Sequence, residues 1–418
     1  MEFTSQVSEA EYTVFVKNHP KSHFLQSYEW GQAARYRGWI PYYTAVTEKG
    51  RIIAAALLLK KELPLGYSYF YIPRGYVLDY ENTELLAFFT REIDRFTGGR
   101  RSIFFLIDPD IKLHEIDREA TTLEGENNYP LVAALENIGF KRRPLTYYFE
   151  TYQPRYTFRI DLSPELSVIR KNYDKSTDQC RKYLDRYSGE IYEGGAEDIE
   201  HFNVLMRMTE KRQNFYNGDY GYYRRFYEIF SKSGLVSLIL VRLNFAKTVA
   251  GLDRKLADLQ KSKSIDPDRQ QKLLTERHFF EERAKEAEGA VISACMNVTY
   301  GDKSWYLYAG NDKTYKMVCA SHRLVDYQIE NAKRRGLRFF DLFGTIGNRV
   351  GSDKKHAKSY SRIYGLHEFK KKFGGEYIEF IGEFYYIQRP VLYKAYRWIA
   401  HFRHIISKVL LKVRGGLV

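Results

Sequence analysis

The sequence has few cysteines and no long hydrophobic segment. Its three cysteines, Cys180, Cys295 and Cys319, are far apart and odd in number. This pattern favours a reducing compartment and argues against a disulfide framework or a metal site. No run reaches the roughly 18 apolar residues of a transmembrane helix, and the polar start Met1–Gln6 lacks the pattern of a signal peptide. We therefore expect a cytoplasmic protein.

The standard catalytic motifs are also missing. The sequence contains no HExxH, no Cys-x-x-Cys pair, no P-loop and no Gly-x-Ser-x-Gly nucleophile elbow. These patterns mark metal-dependent hydrolases, thiol or metal sites, nucleotide-phosphate sites and serine hydrolases. A metal or covalent-serine mechanism therefore has no sequence support, and we expect no cofactor.

Basic and aromatic residues, by contrast, are abundant. Lys and Arg number 66 against 52 acidic residues, which gives a net charge of +14 and a pI near 9.3. Such a chain prefers anionic partners, and nucleic acid, anionic lipid and phosphorylated substrates all fit. The 36 tyrosines suit stacking on bases or sugars. Composition alone does not choose among these partners.

The predicted elements repeat one order in the two halves of the chain. Each half contains a strand pair, a further strand, a helix and a strand that follows a glycine. In the first half these are Pro41–Thr47 with Arg51–Leu59, Tyr67–Ile72, Glu84–Phe96 and Ser102–Asp108. In the second half they are Gly234–Arg242 with Ala290–Val298, Lys303–Gly310, Ser321–Arg335 and Arg338–Phe343. This predicts an internal duplication of one α/β unit of about 140–190 residues.

A charged insertion at residues 244–289 separates the two strands of the second pair. Its first half carries apolar residues at the spacing of a coiled-coil seam, namely Phe245, Val249, Leu252, Leu256 and Leu259. After a hinge at Ser264–Asp268, a second seam consists of Leu273, Phe280, Ala284 and Ala287. Pro267 suits the first turn of the returning helix. We predict a projecting antiparallel two-helix arm; the alternative is two surface helices packed on the body.

The last residues form a segment of different character. From Arg389 to Arg414 basic residues alternate with apolar ones, and Asp and Glu are absent. This predicts a basic amphipathic helix that either contacts an anionic membrane surface or packs its apolar stripe on the body. We place the segment boundaries at 1–150 for the first unit, 151–243 and 290–385 for the second, 244–289 for the arm and 386–418 for this helix.

Four short motifs occur in a characteristic order along the chain. They are Gln26-Ser-Tyr-Glu-Trp-Gly31, Trp305-Tyr-Leu-Tyr-Ala-Gly310, Asp341-Leu-Phe-Gly344 and Glu368-Phe-Lys-Lys-Lys-Phe373. Together with the arm, this set resembles the FemABX family of peptidoglycan bridge-forming aminoacyltransferases over essentially the full chain. The resemblance implies an α/β (α+β) fold of two tandem GNAT-like domains with an inserted antiparallel coiled-coil arm.

The resemblance also implies an activity and its partners. Members of the family transfer an amino acid from aminoacyl-tRNA to the stem peptide of a cell-wall precursor, which is lipid II or the soluble UDP-linked muropeptide. We therefore expect transfer of Gly, Ala or Ser to the stem-peptide amine of lipid II, by an enzyme associated peripherally with the inner leaflet of the cytoplasmic membrane. This aminolysis of an activated ester needs alignment and charge stabilisation rather than a metal.

Site residues follow from the matched motifs. Lys370 matches the lysine that holds the developing oxyanion, although it could instead be one more cation that meets tRNA phosphates. Asp108 matches an aspartate near the acceptor, where it could take the amine's proton; as an aspartate directly before Pro109 it could instead only cap a turn. Tyr308 matches a precursor-contacting tyrosine, with core packing as the alternative. Trp305 and Phe369, from the same motifs, are assigned to the substrate.

Further binding residues are less closely matched. In armless relatives a lysine that contacts the precursor diphosphate stands at the position of Ala34, and Arg35 beside it could substitute. Tyr222 or Tyr223 corresponds to a precursor-binding tyrosine. The residues assigned to tRNA phosphates, with a solvated basic face as the default alternative, are Lys371, Lys372, Lys171, Lys175, Arg181 and Lys182.

Two other functions remain open from the sequence. One is tRNA-dependent aminoacyl transfer to a protein or another amine, which needs no basic C-terminal helix. The other is a non-enzymatic RNA-binding protein that uses the arm as a clamp. The amino acid transferred cannot be read from these residues.

Overall fold

Two compact units make up the chain. The computed structural model describes residues 1–147, 149–261, 266–347 and 357–400, without the side chains of 357–363. Unit 1 comprises Met1–Glu115, Glu124–Leu145 and the residues from Phe380 onward, and unit 2 comprises Ile116–Leu123 and Thr146–Glu379. Among the described residues, no helix has the length and apolar character needed to cross a membrane.

Unit 1 is built on a seven-stranded sheet. From the N-terminus its elements are β1 (Glu2–Thr4), α1 (Glu9–Asn18), α2 (Tyr28–Ala34), β2 (Ile40–Glu48), β3 (Arg51–Glu62), β4 (Ser68–Ile72), α3 (Thr83–Gly98), β5 (Ser102–Ile107), β6 (His114–Ile116), β7 (Thr122–Asn127), α4 (Tyr129–Asn137) and β8 (Phe140–Arg142). Strands β6 and β7 form a separate two-stranded sheet.

Unit 2 has a second seven-stranded sheet. Its elements are β9 (Tyr156–Asp161), α5 (Leu166–Lys171), α6 (Lys175–Cys180), α7 (Tyr183–Arg186), β10 (Glu190–Gly194), α8 (Ile199–Gln213), α9 (Tyr220–Lys232), β11 (Val236–Asn244), α10 (Phe245–Gln260), α11 (Pro267–Glu286), β12 (Gly289–Tyr300), β13 (Lys303–Asn311), α12 (Ala320–Arg334), β14 (Phe339–Asp341), α13 (Ala357–Lys371) and β15 (Glu376–Glu379). The last strand, β16 (Phe384–Ile387), belongs to the sheet of unit 1.

The two sheets have the same strand pattern. Unit 1 has the order β1-β2-β3-β4-β5-β16-β8 and unit 2 the order β10-β11-β12-β13-β14-β9-β15. In each, four antiparallel strands are followed by one parallel pair, β4 with β5 or β13 with β14, and then by two antiparallel strands. This agreement fits the duplication predicted from the sequence.

The sixth strand of each sheet is distant in sequence from the two strands that flank it. Strand β9 follows unit 1 along the chain but lies between β14 and β15 in unit 2. Strand β16 follows unit 2 but lies between β5 and β8 in unit 1.

The C-terminal helix begins later than predicted. Its predicted start, residue 386, lies within β16, and the helix spans 390–400. Residues 401–418 of that prediction lie outside the described residues.

Side-chain caps and a tight turn explain where several elements of unit 1 begin and end. Ser8 caps α1 through a capping box with Glu11, and Ser27 caps α2, because side-chain oxygens satisfy the first free backbone N–H groups of a helix. Lys49 and Gly50 both have positive φ at the turn between β2 and β3. This is the left-handed conformation that a two-residue hairpin turn requires.

The predicted arm is present as the antiparallel helices α10 and α11, which connect the paired strands β11 and β12. Asp266 caps α11 and Pro267 occupies its first turn, as the sequence predicts. The hinge residues up to 265 lie outside the described residues. In the first seam Val249 is only partly buried, while Phe245, Leu252, Leu256 and Leu259 are buried.

The second seam differs from the prediction. Leu273 and Phe280 are buried, but Ala284 and Ala287 are exposed. The buried position between the first two is Glu276, whose carboxylate forms an ion pair with Arg186 at 3.1 Å. A carboxylate can occupy a seam only when such a partner offsets its desolvation, and sequence periodicity counts apolar residues alone.

The arm also packs against the body of unit 2. The Phe245 ring is stacked on Tyr315 at a centroid distance of 5.9 Å, and the Phe280 ring is 5.7 Å from Tyr187. The Thr248 hydroxyl donates to the Tyr187 carbonyl at 2.7 Å. The seam and the body therefore share one hydrophobic core, and the alternative of helices packed on the body holds for this part of the arm.

Truncating Phe280 should destabilise unit 2. Its side chain is fully buried, so we expect Phe280→Ala to lower the free energy of unfolding by about 3–5 kcal/mol, measured by denaturant unfolding. The control is Leu274→Ala on the same helix, where the side chain is 43% exposed and little should change. Equal stability of the two variants would show that the arm is independent of the core.

Candidate active site

Lys370 is a buried lysine near the end of α13. Its residue is only 6% exposed. The amine Nζ donates to the backbone carbonyls of Phe343 at 2.8 Å and Gly344 at 2.6 Å, in the loop that follows β14. This burial argues against the alternative considered from the sequence, in which Lys370 is one more cation that meets tRNA phosphates.

Burial changes the charge of this amine. Desolvation lowers the pKa of Lys370 from its ordinary value to about 7, and the nearby Asp341 carboxylate opposes the shift. Because removal from water disfavours the charged form, the amine is partly protonated and partly neutral near neutral pH. Groups poised in this way are typical of acid, base and oxyanion-stabilising positions.

Asp341 holds the loop that receives Lys370. One carboxylate oxygen accepts from the Phe343 N–H at 2.7 Å and from the Thr157 hydroxyl at 2.5 Å. The other accepts from the Arg159 guanidinium at 2.9 Å. These bonds fix Phe343 in a left-handed conformation, with φ of +59°, which a non-glycine residue rarely adopts.

Gly344 completes this loop because no side chain fits at its position. A Cβ atom there would lie 2.7 Å from both the Phe149 ring and Pro154. The two ends of the motif Asp341-Leu-Phe-Gly344 therefore shape the same turn. The aspartate orients it, and the glycine allows it to lie close to Phe149 and Pro154. The sequence comparison identified the motif but gave Asp341 no role of its own.

A cluster of tyrosines lies where α9 packs on β13. The hydroxyls of Tyr222 and Tyr308 are 2.7 Å apart and hydrogen-bonded. The Tyr223 hydroxyl donates to the buried Glu210 carboxylate at 3.1 Å, and Arg207 forms an ion pair with that carboxylate at 2.6 Å. The structure thus brings the predicted Tyr222 and Tyr308 together, and adds Glu210, which helical spacing on α8 did not reveal.

Two predicted substrate contacts are enclosed by protein. Trp305 is 1% exposed and Tyr223 is fully buried, so neither presents a surface to a ligand in this structure. Their burial favours packing roles for the two rings; Tyr222, at 3%, and Tyr308, at 9%, are buried as well, and the precursor contacts stay predictions. Phe369 is partly buried, and its ring is 5.0 Å from His322 and 5.3 Å from Phe373.

Asp108 is a buried carboxylate at the end of β5 in unit 1. It accepts from the Tyr71 hydroxyl at 2.9 Å and from the Arg74 N–H at 2.6 Å. Desolvation raises the pKa of Asp108 to about 7, and the Arg74 guanidinium opposes that shift. The carboxylate thus holds the backbone of Arg74, as the alternative of a turn-capping aspartate predicted, and its role as a base stays a prediction.

The predicted basic contacts differ in their surroundings. Arg181 and Lys182 both form ion pairs with Asp178 at 2.8 Å, and Lys371 pairs with Glu119. Lys171 and Lys175 are exposed, as is Arg35, whose guanidinium donates to the Gln32 amide at 3.1 Å. Lys372 is half-buried. Of the cations assigned to tRNA, Lys171 and Lys175 offer the most accessible charge.

The cysteines lie closer together than the sequence suggested. Cys180 and Cys319 are 139 positions apart, yet their sulfur atoms are 2.8 Å from each other. His322 joins them, and ligand atoms of the three residues all lie within 4.8 Å of one another. The separation of the cysteines along the chain therefore did not predict that two of them are neighbours in the fold.

Comparisons with known proteins agree over almost the whole length. The model of the FemAB family matches residues 7–401. The chain is 25% identical over 432 residues to a lipid II:glycine glycyltransferase of Staphylococcus haemolyticus (strain JCSC1435), with 98% of each chain covered. It is 26% identical over 436 residues to the enzyme of that name from Staphylococcus aureus (strain bovine RF122 / ET3-1), again with 98% of each covered.

One solved structure has a closely similar fold. The crystal structure of FemX superposes with a TM-score of 0.78 at 24% sequence identity, and the match covers 94% of this chain and 99% of that one. The α/β architecture predicted from the sequence is therefore confirmed at the level of the fold.

The lowered pKa of Lys370 should appear in the pH dependence of stability. Between pH 7 and 10.5 the unfolded chain binds a proton that the folded chain does not, so folding gains about 1.4 kcal/mol per pH unit. We expect the melting temperature of the wild type to rise relative to Lys370→Met as the pH increases from 7 to 9.

The matched control for this measurement is Lys232→Met, at an exposed lysine on α9. Its melting temperature should keep a constant difference from that of the wild type over the same pH range. A constant difference for Lys370→Met as well would mean that the Lys370 pKa is not lowered.

Proposed function

The chain belongs to the FemAB family, and from this membership we propose that it is an aminoacyltransferase of peptidoglycan bridge synthesis. It transfers a small amino acid, Gly, Ala or Ser, from aminoacyl-tRNA to the stem-peptide amine of lipid II. The observation that carries the proposal is the family match from residue 7 to residue 401. Glycine has the most support, because both relatives described above are lipid II:glycine glycyltransferases.

The buried amine of Lys370 suits the chemistry of this transfer. An attacking amine converts the ester carbonyl into a tetrahedral oxyanion, which a preorganised donor stabilises by about 3–4 kcal/mol. A lysine ammonium has three N–H groups. Two are held by the carbonyls of Phe343 and Gly344, which leaves one proton with a fixed direction for the oxyanion.

Asp108 can take the role of a base. Its pKa of about 7 leaves a fraction ionised at neutral pH, and that fraction can accept the proton that the attacking amine loses. Tyr222 and Tyr308 are proposed to contact the precursor through their linked hydroxyls, and Arg35 is proposed to approach its diphosphate as an exposed cation.

The C-terminal helix supports peripheral membrane association. Within the described part, Val391 is 80% exposed, Trp398 66% and Ile399 50%, so large apolar side chains face outward beside Lys394 and Arg397. Apolar groups and cations on one exposed helix are typical of segments that bind the surface of an anionic bilayer. Such a surface would bring the enzyme to a lipid-linked acceptor.

The direct test is transfer with purified components. We expect the wild type to form an amide-linked product from lipid II in vesicles and tRNA charged with Gly, Ala or Ser, detected by mass spectrometry. Absence of product with all three charged tRNAs would exclude the proposal. Product formed only with a protein or free-amine acceptor would assign the transferase to another target.

Lys370→Met tests the proposed oxyanion role. The substitution keeps the side-chain length and removes the amine, so we expect the rate of transfer to fall about 100- to 1,000-fold with a much smaller change in tRNA affinity. Lys232→Met is the control and should transfer at the wild-type rate. A folded Lys370→Met protein with full activity would exclude the role.

Binding of tRNA should depend on the accessible lysines. Replacement of Lys171 and Lys175 by Gln should weaken binding, and the slope of log affinity against log salt should become less steep by about 1 for each lost phosphate contact. Gln at Arg181 and Lys182 should have a smaller effect, because Asp178 already neutralises part of their charge. The reverse order would place the tRNA at the junction between α6 and α7, where Arg181 and Lys182 lie.

A further inference from the structure

We propose that Cys180, Cys319 and His322 form a binding site for a thiophilic divalent metal ion, for which Zn²⁺ is the best match. The site lies in unit 2 and is separate from the loop that holds Lys370. It assigns a role to two cysteines that the proposed transfer reaction does not use.

Two helices, α6 and α12, bring the ligands together. Cys180 is the last residue of α6, Cys319 is the N-cap of α12, and His322 follows in the first turn of α12. Cys319 has φ of +56°, a left-handed conformation in which a non-glycine side chain needs support from its surroundings. The spacing of three between Cys319 and His322 places both on one face at the start of the helix.

The donor set selects the class of metal. Two sulfur atoms and one imidazole nitrogen lie within 4.8 Å of one another, and soft sulfur with imidazole favours Zn²⁺ over Mg²⁺ or Ca²⁺, which take oxygen ligands. Two Cys and one His, with the fourth position open, is a known zinc ligand set. All three side chains are half-buried, so an ion can reach them from solvent.

Metal binding at this site is balanced by the release of protons. Each cysteine gives up its thiol proton as a metal–sulfur bond forms, so binding of M²⁺ forms two metal–sulfur bonds and releases two protons. The His322 ring would bind the ion through a nitrogen lone pair of its neutral imidazole.

The distances require a small adjustment. Two sulfurs on one tetrahedral zinc, with bonds of about 2.3 Å, are separated by about 3.8 Å, whereas Cys180 and Cys319 are 2.8 Å apart. An opening of about 1 Å is within reach of side-chain rotation for residues that are not tightly enclosed. Lys272 and Lys372 lie near the site, and two thiolates would balance the charge of the ion beside them.

A bound ion would connect α6 to α12, and α12 packs on α13 through His322. Cys180 ends α6, His322 belongs to α12, and the His322 ring rests on Phe369 of α13 at 5.0 Å. Phe369 immediately precedes Lys370. The metal would therefore fix the His322 ring, on which α13 packs. It would also hold the end of α6, which Arg181 follows.

Cobalt titration tests the site directly. The full-length protein is reduced with a phosphine, freed of metal and titrated with Co²⁺. We expect one equivalent to bind, with thiolate-to-cobalt charge-transfer absorption and the visible bands of a tetrahedral ion, and Zn²⁺ to displace it. Cys180→Ser and Cys319→Ser should lose the charge-transfer band, and His322→Gln should bind at least 10-fold more weakly.

The matched control is Cys295→Ser, at the buried third cysteine, which should bind Co²⁺ as the wild type does. A second measurement needs no substitution: Zn²⁺ should protect Cys180 and Cys319 of the wild type from alkylation, mapped by mass spectrometry. The proposal is overturned if the reduced protein binds no stoichiometric Co²⁺, if the band survives in the Cys180→Ser and Cys319→Ser variants, or if Zn²⁺ gives no protection. A Cys180–Cys319 disulfide in a protein that binds no metal when reduced would overturn it too.

Discussion

The removal of one lysine amine from water constrains much of unit 2. A buried amine must donate its protons to fixed acceptors, and Lys370 does so to the carbonyls of Phe343 and Gly344. Those carbonyls are available only because Asp341 bends the loop and Gly344 lets it lie close to its neighbours. The motif after β14 and the motif on α13 are therefore two halves of one arrangement, although 24 positions separate Gly344 from Glu368.

The same burial explains why the three adjacent lysines differ. A helix rotates by about 100° per residue, so when Lys370 faces the interior, its neighbours Lys371 and Lys372 face elsewhere. Lys371 reaches Glu119 and Lys372 is half-buried. From the sequence the three looked equivalent, and the matched motif alone singled out Lys370. The physical reason for the distinction, loss of hydration at one position, needs the tertiary structure.

Local and long-range features were predictable to different degrees. The helix pair of the arm, with Pro267 in the first turn of its second helix, depends on neighbouring residues, so the sequence predicted it. Glu276 in the seam, the pairing of Cys180 with Cys319 and the positions of β9 and β16 depend on partners far along the chain. Periodicity and spacing contain no information about such partners, and there the predictions were incomplete or wrong.

The late position of β16 in the sequence determines the order in which the two sheets can be completed during synthesis. The ribosome delivers β5 and β8 early, but the strand between them, β16, ends at residue 387 of 418. Until then the sheet of unit 1 lacks its sixth strand, and the backbone hydrogen-bonding groups of β5 and β8 that pair with it are exposed. The sheet of unit 2 receives its sixth strand, β9, before its other strands are made. The half of the protein that is synthesised first is therefore the half that is completed last.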